Sequence, residues 1–331
     1  MKKKRPVLQD VADCVGVTKM TVSRYLRDPN QVSATLREKI AAAVEDLGYI
    51  PNRAPDILSN ATSRCIGILL PSLTNQVFAE VLRGVESVTD IHGYQTMLAH
   101  YGYSPEREEE RLTSLLSWNI DGLILAERQH TPRTLKMIAV AGIPVVEVMD
   151  SVSPCIDMAV GFNNVEAARQ MTRFIIAKGH THVVYHGARL DERTRMKQEG
   201  YAQAMEEAGL VPVSTLTERA SSYSVGAELL QQTLREHPNT NGIFCTNDDL
   251  AIGAFFECQR RGLRVPEDIA IAGFHGLDPG QAMEPQLASV VTPRHAMGRV
   301  AAELLLTRLK GDSVTAPCID LGFTLLPGAS T

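Results

Sequence analysis

The side chains best suited to chemistry fall in one short run. Lys19, Met20, Thr21, Ser23, Arg24 and Arg27 follow Thr18 closely and supply the groups that read or hold a nucleic acid. Lysine and arginine donate to guanine O6 and N7, a methionine offers the apolar contact a thymine methyl wants, and hydroxyls suit phosphate oxygens. Thr18 is placed to cap a helix over 19–27. Val22 and Leu26, four apart, are expected inward, which turns Lys19, Met20, Ser23, Arg24 and Arg27 outward. The bland alternative is that Lys19 and Arg27 only solvate a surface helix.

The elements around this run must present it. Ala12 is small enough for two helices to approach, Gly16 supplies a turn at little conformational cost, and Val22 faces back with Val11, Val15 and Leu26. The spacing Ala12–Gly16–Val22 is that of a helix-turn-helix, whose second helix enters a major groove. Ser33 is expected to cap a third helix bearing Leu36, Ile40, Val44 and Leu47, ended by Gly48 and Pro51. Leu8, Ser33 and Asn52 complete the DNA-binding set expected here. Residues 1–64 hold 11 Lys/Arg against 7 Asp/Glu and residues 65–331 hold 22 against 31. The first segment is thus formally positive inside a mildly acidic chain, as phosphate contacts require.

From residue 65 the pattern becomes short apolar runs alternating with amphipathic helices. Strands are expected at 65–70, 96–100, 122–126, 144–149 and 158–161, with helices about 76–92, 106–118 and 132–141. A second set of strands follows near 182–187, 213–218, 242–246 and 269–273, with helices near 163–178, 191–208, 224–236 and 248–262. Such alternation argues for parallel sheets covered on both faces, and about 265 residues argues for two lobes. A helix about 295–310 and a strand 318–325 are expected to cross back between them. Ligands of such sheets bind at strand C-terminal ends, here between the lobes.

Enzyme motifs are missing: no Gly-x-Gly-x-x-Gly follows the first strand, and there is no Gly-x-x-x-x-Gly-Lys or Gly-x-Ser-x-Gly. The six cysteines form no Cys-x-x-Cys and the nine histidines show no metal-ligand spacing. No cofactor and no metal are expected, and no apolar run or leader suggests a membrane. A cytoplasmic binding protein is the expectation.

Asp10-Val-Ala, Val15-Gly-Val, Thr21-Val-Ser-Arg, Val32-Ser, Arg37-Glu-Lys-Ile and Gly48-Tyr-Ile-Pro-Asn-Arg resemble the LacI/GalR family of bacterial transcription regulators. The resemblance runs through the whole chain. Runs such as Ile57-Leu-Ser-Asn-Ala-Thr-Ser-Arg, Leu70-Pro-Ser-Leu-Thr-Asn-Gln-Val-Phe-Ala-Glu and Ala272-Gly-Phe-His-Gly are most similar to family members that repress gluconate utilisation. The fold implied is an all-α helix-turn-helix headpiece joined by a hinge helix to an α/β periplasmic-binding-protein-like core of two parallel-sheet lobes. The expected boundaries are a headpiece at 1–51, a hinge at 52–63 and a core at 64–331. Lobe 1 takes about 64–161 and 292–318; lobe 2 takes about 162–291 and 319–331.

The resemblance also implies roles. Segment 52–60 matches a hinge that folds on DNA and wedges a leucine, here Leu58, into the minor groove. An isolated helix of roughly eight residues is marginal in water, so folding on a partner suits its length. Pro55 is compatible with the first helical turn. Asn75, Gln76 and Phe78 match a first-lobe ligand wall, although Asn75 or Gln76 could equally be helix caps. Lys197, with Arg195 beside it, stands where an effector-binding arginine is usual. Asn247 matches an Asn-Asp pair. His275 stands where an aspartate is common; the bland alternative is a loop histidine bonded to backbone. A histidine there can donate to an anion that an aspartate would repel, and can carry positive charge near neutral pH. Arg128, Arg193, Arg195 and Arg294 are expected at the rim. The implied partners are double-stranded operator DNA, a second copy of the chain and a sugar acid, gluconate or a close aldonate, that releases the DNA. A corepressor-type regulator answering to another sugar acid or a phosphorylated derivative stays open, as does, remotely, a sugar-acid-processing enzyme with a DNA-binding module.

Overall fold

The computed structural model describes residues 5–52, 62–151 and 154–331. Two compact units, 1–63 and 64–331, divide the chain. Most of the expected hinge, including Pro55 and Leu58, lies outside the described residues.

The first unit is a three-helix cluster: α1 (Leu8–Val15), α2 (Lys19–Arg27) and α3 (Ala34–Leu47). Val11, Ala12, Val22, Ile40, Ala43 and Tyr49 close its small core, with Leu8, Val15 and Leu26 packed against it. Gly16 ends α1 at φ 74°, a left-handed conformation that glycine adopts without the penalty a Cβ brings. The Thr18 hydroxyl accepts from the Thr21 amide at 3.3 Å and so caps α2. Ser33 occupies the N-cap position of α3, but its side chain makes no cap bond. That expectation is corrected: an exposed serine leaves the helix start to its other terms.

The second unit holds two six-stranded sheets. The first contains β1 (Cys65–Leu70), β2 (Gln95–His100), β3 (Gly122–Leu125), β4 (Val145–Val148), β5 (Met158–Gly161) and β11 (Cys318–Asp320) in the order β11-β5-β4-β3-β1-β2. All its pairings are parallel. The second contains β6 (Val183–Ala188), β7 (Val213–Thr217), β8 (Gly242–Cys245), β9 (Ala270–His275), β10 (Ala288–Val291) and β12 (Thr324–Leu326) in the order β12-β10-β9-β8-β6-β7. Only β12 there runs antiparallel, against β10. Strand alternation sends Ile66, Ile68 and Leu70 into one core and Leu69 into another. A strand covered on both faces must therefore be apolar throughout.

Helices α4 (Gln76–Thr89), α5 (Pro105–Ser117) and α6 (Pro132–Ala141) cover the first sheet. Its second face also receives α12 (Arg294–Leu309), and α7 (Asn164–Ala177), α8 (Glu192–Glu207), α9 (Tyr223–Glu236) and α10 (Asp248–Arg261) cover the second sheet. A short α11 (Asp278–Ala282) precedes β10. α4 and α12 cross where both are glycine: a Cβ on Gly298 would meet the Val81 carbonyl oxygen at 1.9 Å, and one on Gly84 the His295 oxygen at 2.1 Å. The backbones touch because neither carries a side chain there.

Two departures from the sequence reading matter. The strand expected over 318–325 is two strands in different sheets, because the chain turns at Gly322, φ 66°, between β11 and β12. β10 was not expected, since Ala288–Val291 is only four residues long, although Pro285 and Pro293 flank it. Among the described residues no helix is long and apolar enough to cross a membrane, and no group of three or more His, Cys, Asp or Glu is placed to hold a metal ion.

Candidate effector cleft and DNA-binding face

Each sheet reverses its winding once, between β1 and β3 in the first and between β6 and β8 in the second. The loops leaving neighbouring strands diverge at such a point and open a crevice at the carboxyl ends. A cleft lies there, lined from one side by Asn75, Val77, Phe78, Tyr103 and Met149 and from the other by Arg189, Asp191, Arg193, Thr194, Lys197, Asn247 and His275.

The backbone around the cleft is bent by force. Tyr103 (φ 61°), Met149 (φ 83°), Arg189 (φ 70°) and His275 (φ 104°) all adopt left-handed conformations without being glycine. Such residues persist only where the surrounding fold over-determines them, and they cluster at ligand sites.

Lys197 is the centre of the polar floor. Its ammonium donates to the Thr246 carbonyl at 3.0 Å, lies 3.4 Å from His275 Nε2, and sits 3.9 Å from the centre of the Phe274 ring. Burial lowers its pKa to about 7, Asp191 opposes that, and the charges of Arg193 and Arg189 add to it. His275 is buried as well, with Nδ1 3.3 Å from the Thr292 hydroxyl. Burial first, then Lys197 and Arg294, push its pKa well below the usual histidine range. The positive charge open to a histidine near neutral pH is therefore not held here: the imidazole is neutral, its Nε2 facing a donor, and the charge resides on the neighbouring cations.

Asp191 caps α8 by accepting from the Thr194 amide at 2.8 Å. Burial pulls its pKa upward, but Arg193, Arg189 and the Thr194 amide prevail and leave it lowered. Arg189 stacks over the Tyr103 ring at 5.0 Å and lies 3.6 Å from Asp191. The Asn247 amide is satisfied when its oxygen faces Arg189 at 2.8 Å and Ser221 at 3.2 Å. Arg193 reaches across to Glu127 at 2.5 Å and to the Ala126 carbonyl.

Of the residues named from sequence, Asn75, Phe78, Lys197, Asn247 and His275 line one cleft, while Gln76 and Arg195 do not. Gln76 is the first residue of α4 and exposed; Arg195 is exposed on α8. Both are corrected on the same ground, a helical position turned to solvent. Asn75 is also a helix cap, accepting from Val77 N at 3.1 Å. Among the expected rim arginines, Arg193 lines the cleft, Arg128 pairs with Asp150 at 3.4 Å, and Arg294 donates to the His275 carbonyl. The lining also holds Val77, Tyr103, Met149, Arg189, Asp191 and Thr194, none of them among the residues expected there. Helical spacing favours Arg193 over Arg195: it lies one turn before Lys197 and on its face, whereas Arg195 is nearly opposite.

On the headpiece, Lys19, Met20, Arg24 and Arg27 are exposed, Met20 by 71%. Ser23 and Thr21 are half-buried, and the Thr21 hydroxyl lies 3.0 Å from that of Thr18. Leu8 packs against the headpiece core, and Asn52 is exposed at the end of the described segment.

Residues 7–52 match the bacterial regulatory proteins of the lacI family, and residues 63–319 match the periplasmic binding proteins and sugar binding domain of LacI family. The chain is 74% identical over 330 residues to the HTH-type transcriptional regulator GntR of Escherichia coli K12, covering all of both chains. It superposes on a LacI family transcriptional regulator from Silicibacter pomeroyi with a TM-score of 0.92 at 32% identity, covering 98% of this chain and 99% of that one. The lac repressor dimer solved bound to operator and the anti-inducer ONPF aligns at a TM-score of 0.85 and 25% identity, covering 99% of each chain. The chain belongs to the LacI family of bacterial regulatory proteins.

Proposed function

We propose that this regulator represses sugar-acid utilisation genes: it binds palindromic operator DNA as a homodimer and leaves it when gluconate or a close aldonate fills the cleft. One observation carries the effector class. Three basic side chains, Arg189, Arg193 and Lys197, converge on the cleft; Asp191 faces Arg189 and Glu127 holds Arg193, which leaves Lys197, bonded to the Thr246 carbonyl, to receive a ligand's charge. A neutral polyol offers nothing to balance that charge, whereas a carboxylate does. Asn75, Asn247, Thr194 and His275 then supply donors and acceptors for hydroxyls.

The DNA-binding half of the reading rests on α2. Lys19, Met20, Arg24 and Arg27 present an exposed face with base-reading chemistry, and Thr18, Thr21, Ser23, Ser33, Leu8 and Asn52 flank it for backbone contacts. Leu58 is the residue assigned to the minor-groove wedge. Residues 1–51 dock, 52–63 switch, and 64–331 bind effector and dimerise. The operator-bound dimer of the lac repressor, similar in fold over the full length, supports this assignment. The effector acts through unequal affinity for the two states, so DNA must change effector affinity by the same factor.

The test is a calorimetric titration with gluconate, 6-phosphogluconate and glucose, repeated in the presence of operator. Gluconate binding that operator weakens, with glucose inert, supports the reading. Operator that tightens gluconate binding would reverse its sign to that of a corepressor.

A further inference from the structure

Cys155 and Cys318 lie 163 residues apart in sequence, yet their sulfurs are 3.0 Å apart. Both are half-buried and both are free thiols. Cys318 opens β11, the edge strand of the first sheet, and Cys155 stands in the loop before β5. Hydrogen bonds from backbone amides fix both segments. Ala159 N donates to the Pro317 carbonyl at 2.7 Å, and Ile156 N donates to Glu147 Oε2 at 2.6 Å. The sulfurs need close by only about 1 Å to reach the disulfide bond length. By contrast, Cys245 and Cys258 are fully buried in the second lobe, and Cys14 lies on the headpiece.

We propose that Cys155 and Cys318 form a modification site, a dithiol that exchanges with a low-molecular-weight aliphatic disulfide and closes into an intramolecular disulfide. The thiolate of Cys318 attacks one sulfur of the small disulfide, forming a mixed disulfide and releasing one small thiol. Cys155 then attacks the Cys318 sulfur, the protein S–S bond forms, and the second small thiol leaves. Protein dithiol plus small disulfide gives protein disulfide plus two small thiols, so atoms and electrons balance.

Burial, then the hydrogen bond and charge of Cys318, then Glu147, raise the Cys155 pKa. Capping Cys318 as a mixed disulfide removes two of those causes and readies Cys155 to resolve it. The bond would fasten the edge strand to the loop entering β5, at the place where the chain leaves the first sheet for the last time.

The full-length protein is incubated in oxidised and reduced glutathione mixtures, acid-quenched, alkylated, digested and analysed by mass spectrometry. The expected product is a peptide pair joined through Cys155 and Cys318, and Cys318→Ser leaves Cys155 alkylatable. Recovery of the two cysteines from wild-type protein as separate glutathione adducts, as free thiols under mixtures that oxidise a control dithiol, or bonded to other cysteines would overturn the proposal. The wild-type measurement decides even if the variant folds poorly.

Discussion

Arg193, in the first turn of α8, holds Glu127, just past the end of β3, at 2.5 Å across the cleft. The two side chains are only 12% and 14% exposed. Burial raises the Glu127 pKa and Arg193 opposes that rise. This pair joins the two walls before any ligand arrives, and Gln129 reinforces it by donating to Glu192 at 2.8 Å. An anionic effector must share Arg193 with Glu127.

Removing Arg193 strands a buried carboxylate. Arg193→Ala should cost on the order of 3–5 kcal/mol of core stability by urea unfolding, and Glu127→Gln clearly less, because the guanidinium left behind keeps an amide oxygen to donate to and the nearby charge of Asp191. Equal losses from both would show that packing rather than charge dominates there.

Lys197 makes effector binding depend on pH. With its pKa lowered to about 7, it is charged below that value and largely neutral above it. A bound carboxylate favours the charged form, so binding takes up a proton above pH 7. Affinity for gluconate should be level below pH 7 and fall as pH rises, approaching about tenfold per unit. Calorimetry in buffers of differing ionisation enthalpy reads the uptake directly; Lys197→Met should abolish it.

The contact between α4 and α12 tolerates no side chain. Gly298→Ala would drive a Cβ to 1.9 Å from the Val81 oxygen, which is backbone and has no rotamer to yield. A loss of about 1–3 kcal/mol or more is expected, read as a lower Tm of the core unit. An unchanged Tm would mean that the helices can slide apart.

Met20 and Val22 separate docking from folding. Met20 is 71% exposed and Val22 is fully buried. Met20→Ala should leave headpiece melting unchanged while weakening operator binding, whereas Val22→Ala should cost the headpiece on the order of 1–3 kcal/mol. Operator titration alongside thermal melting distinguishes them.

His186 lies fully buried in β6, its Nε2 2.8 Å from the Thr233 hydroxyl. Burial lowers its pKa to about 3. The folded form thus keeps it neutral while the unfolded form protonates near 6.5. Its contribution to stability is complete above pH 6.5 and is lost as pH falls toward 3, at up to about 1.4 kcal/mol per unit. His186→Gln should flatten the core's stability profile over that window; an unaltered slope would assign the acid loss to carboxylates.

Repeating patterns made the layers legible. Strands such as 158–161 and helices such as 132–141 stand where their apolar period put them, because burial on a regular element leaves a regular trace. The cleft was half legible. Lys197, Asn247 and His275 could be found through family likeness: Lys197 stands in α8, Asn247 just after β8 and His275 at the end of β9. Tyr103, Met149 and Arg189 could not, because left-handed bends, and not a repeat, aim them inward. The neutral state of His275 was also hidden: it depends on Lys197 and Arg294, distant or unremarkable in sequence, pressing on a dry imidazole.

The split of 318–326 between two sheets bears on truncation. β11 completes the edge of the first sheet at Asp320 and β12 that of the second at Leu326. Just beyond, the buried Ser330 hydroxyl donates to the Ile271 carbonyl at 2.6 Å and accepts from Ala288 N at 2.8 Å. One stretch of nine residues therefore closes an edge of each sheet, and a chain cut before Cys318 would leave β5 and β10 as open edges together.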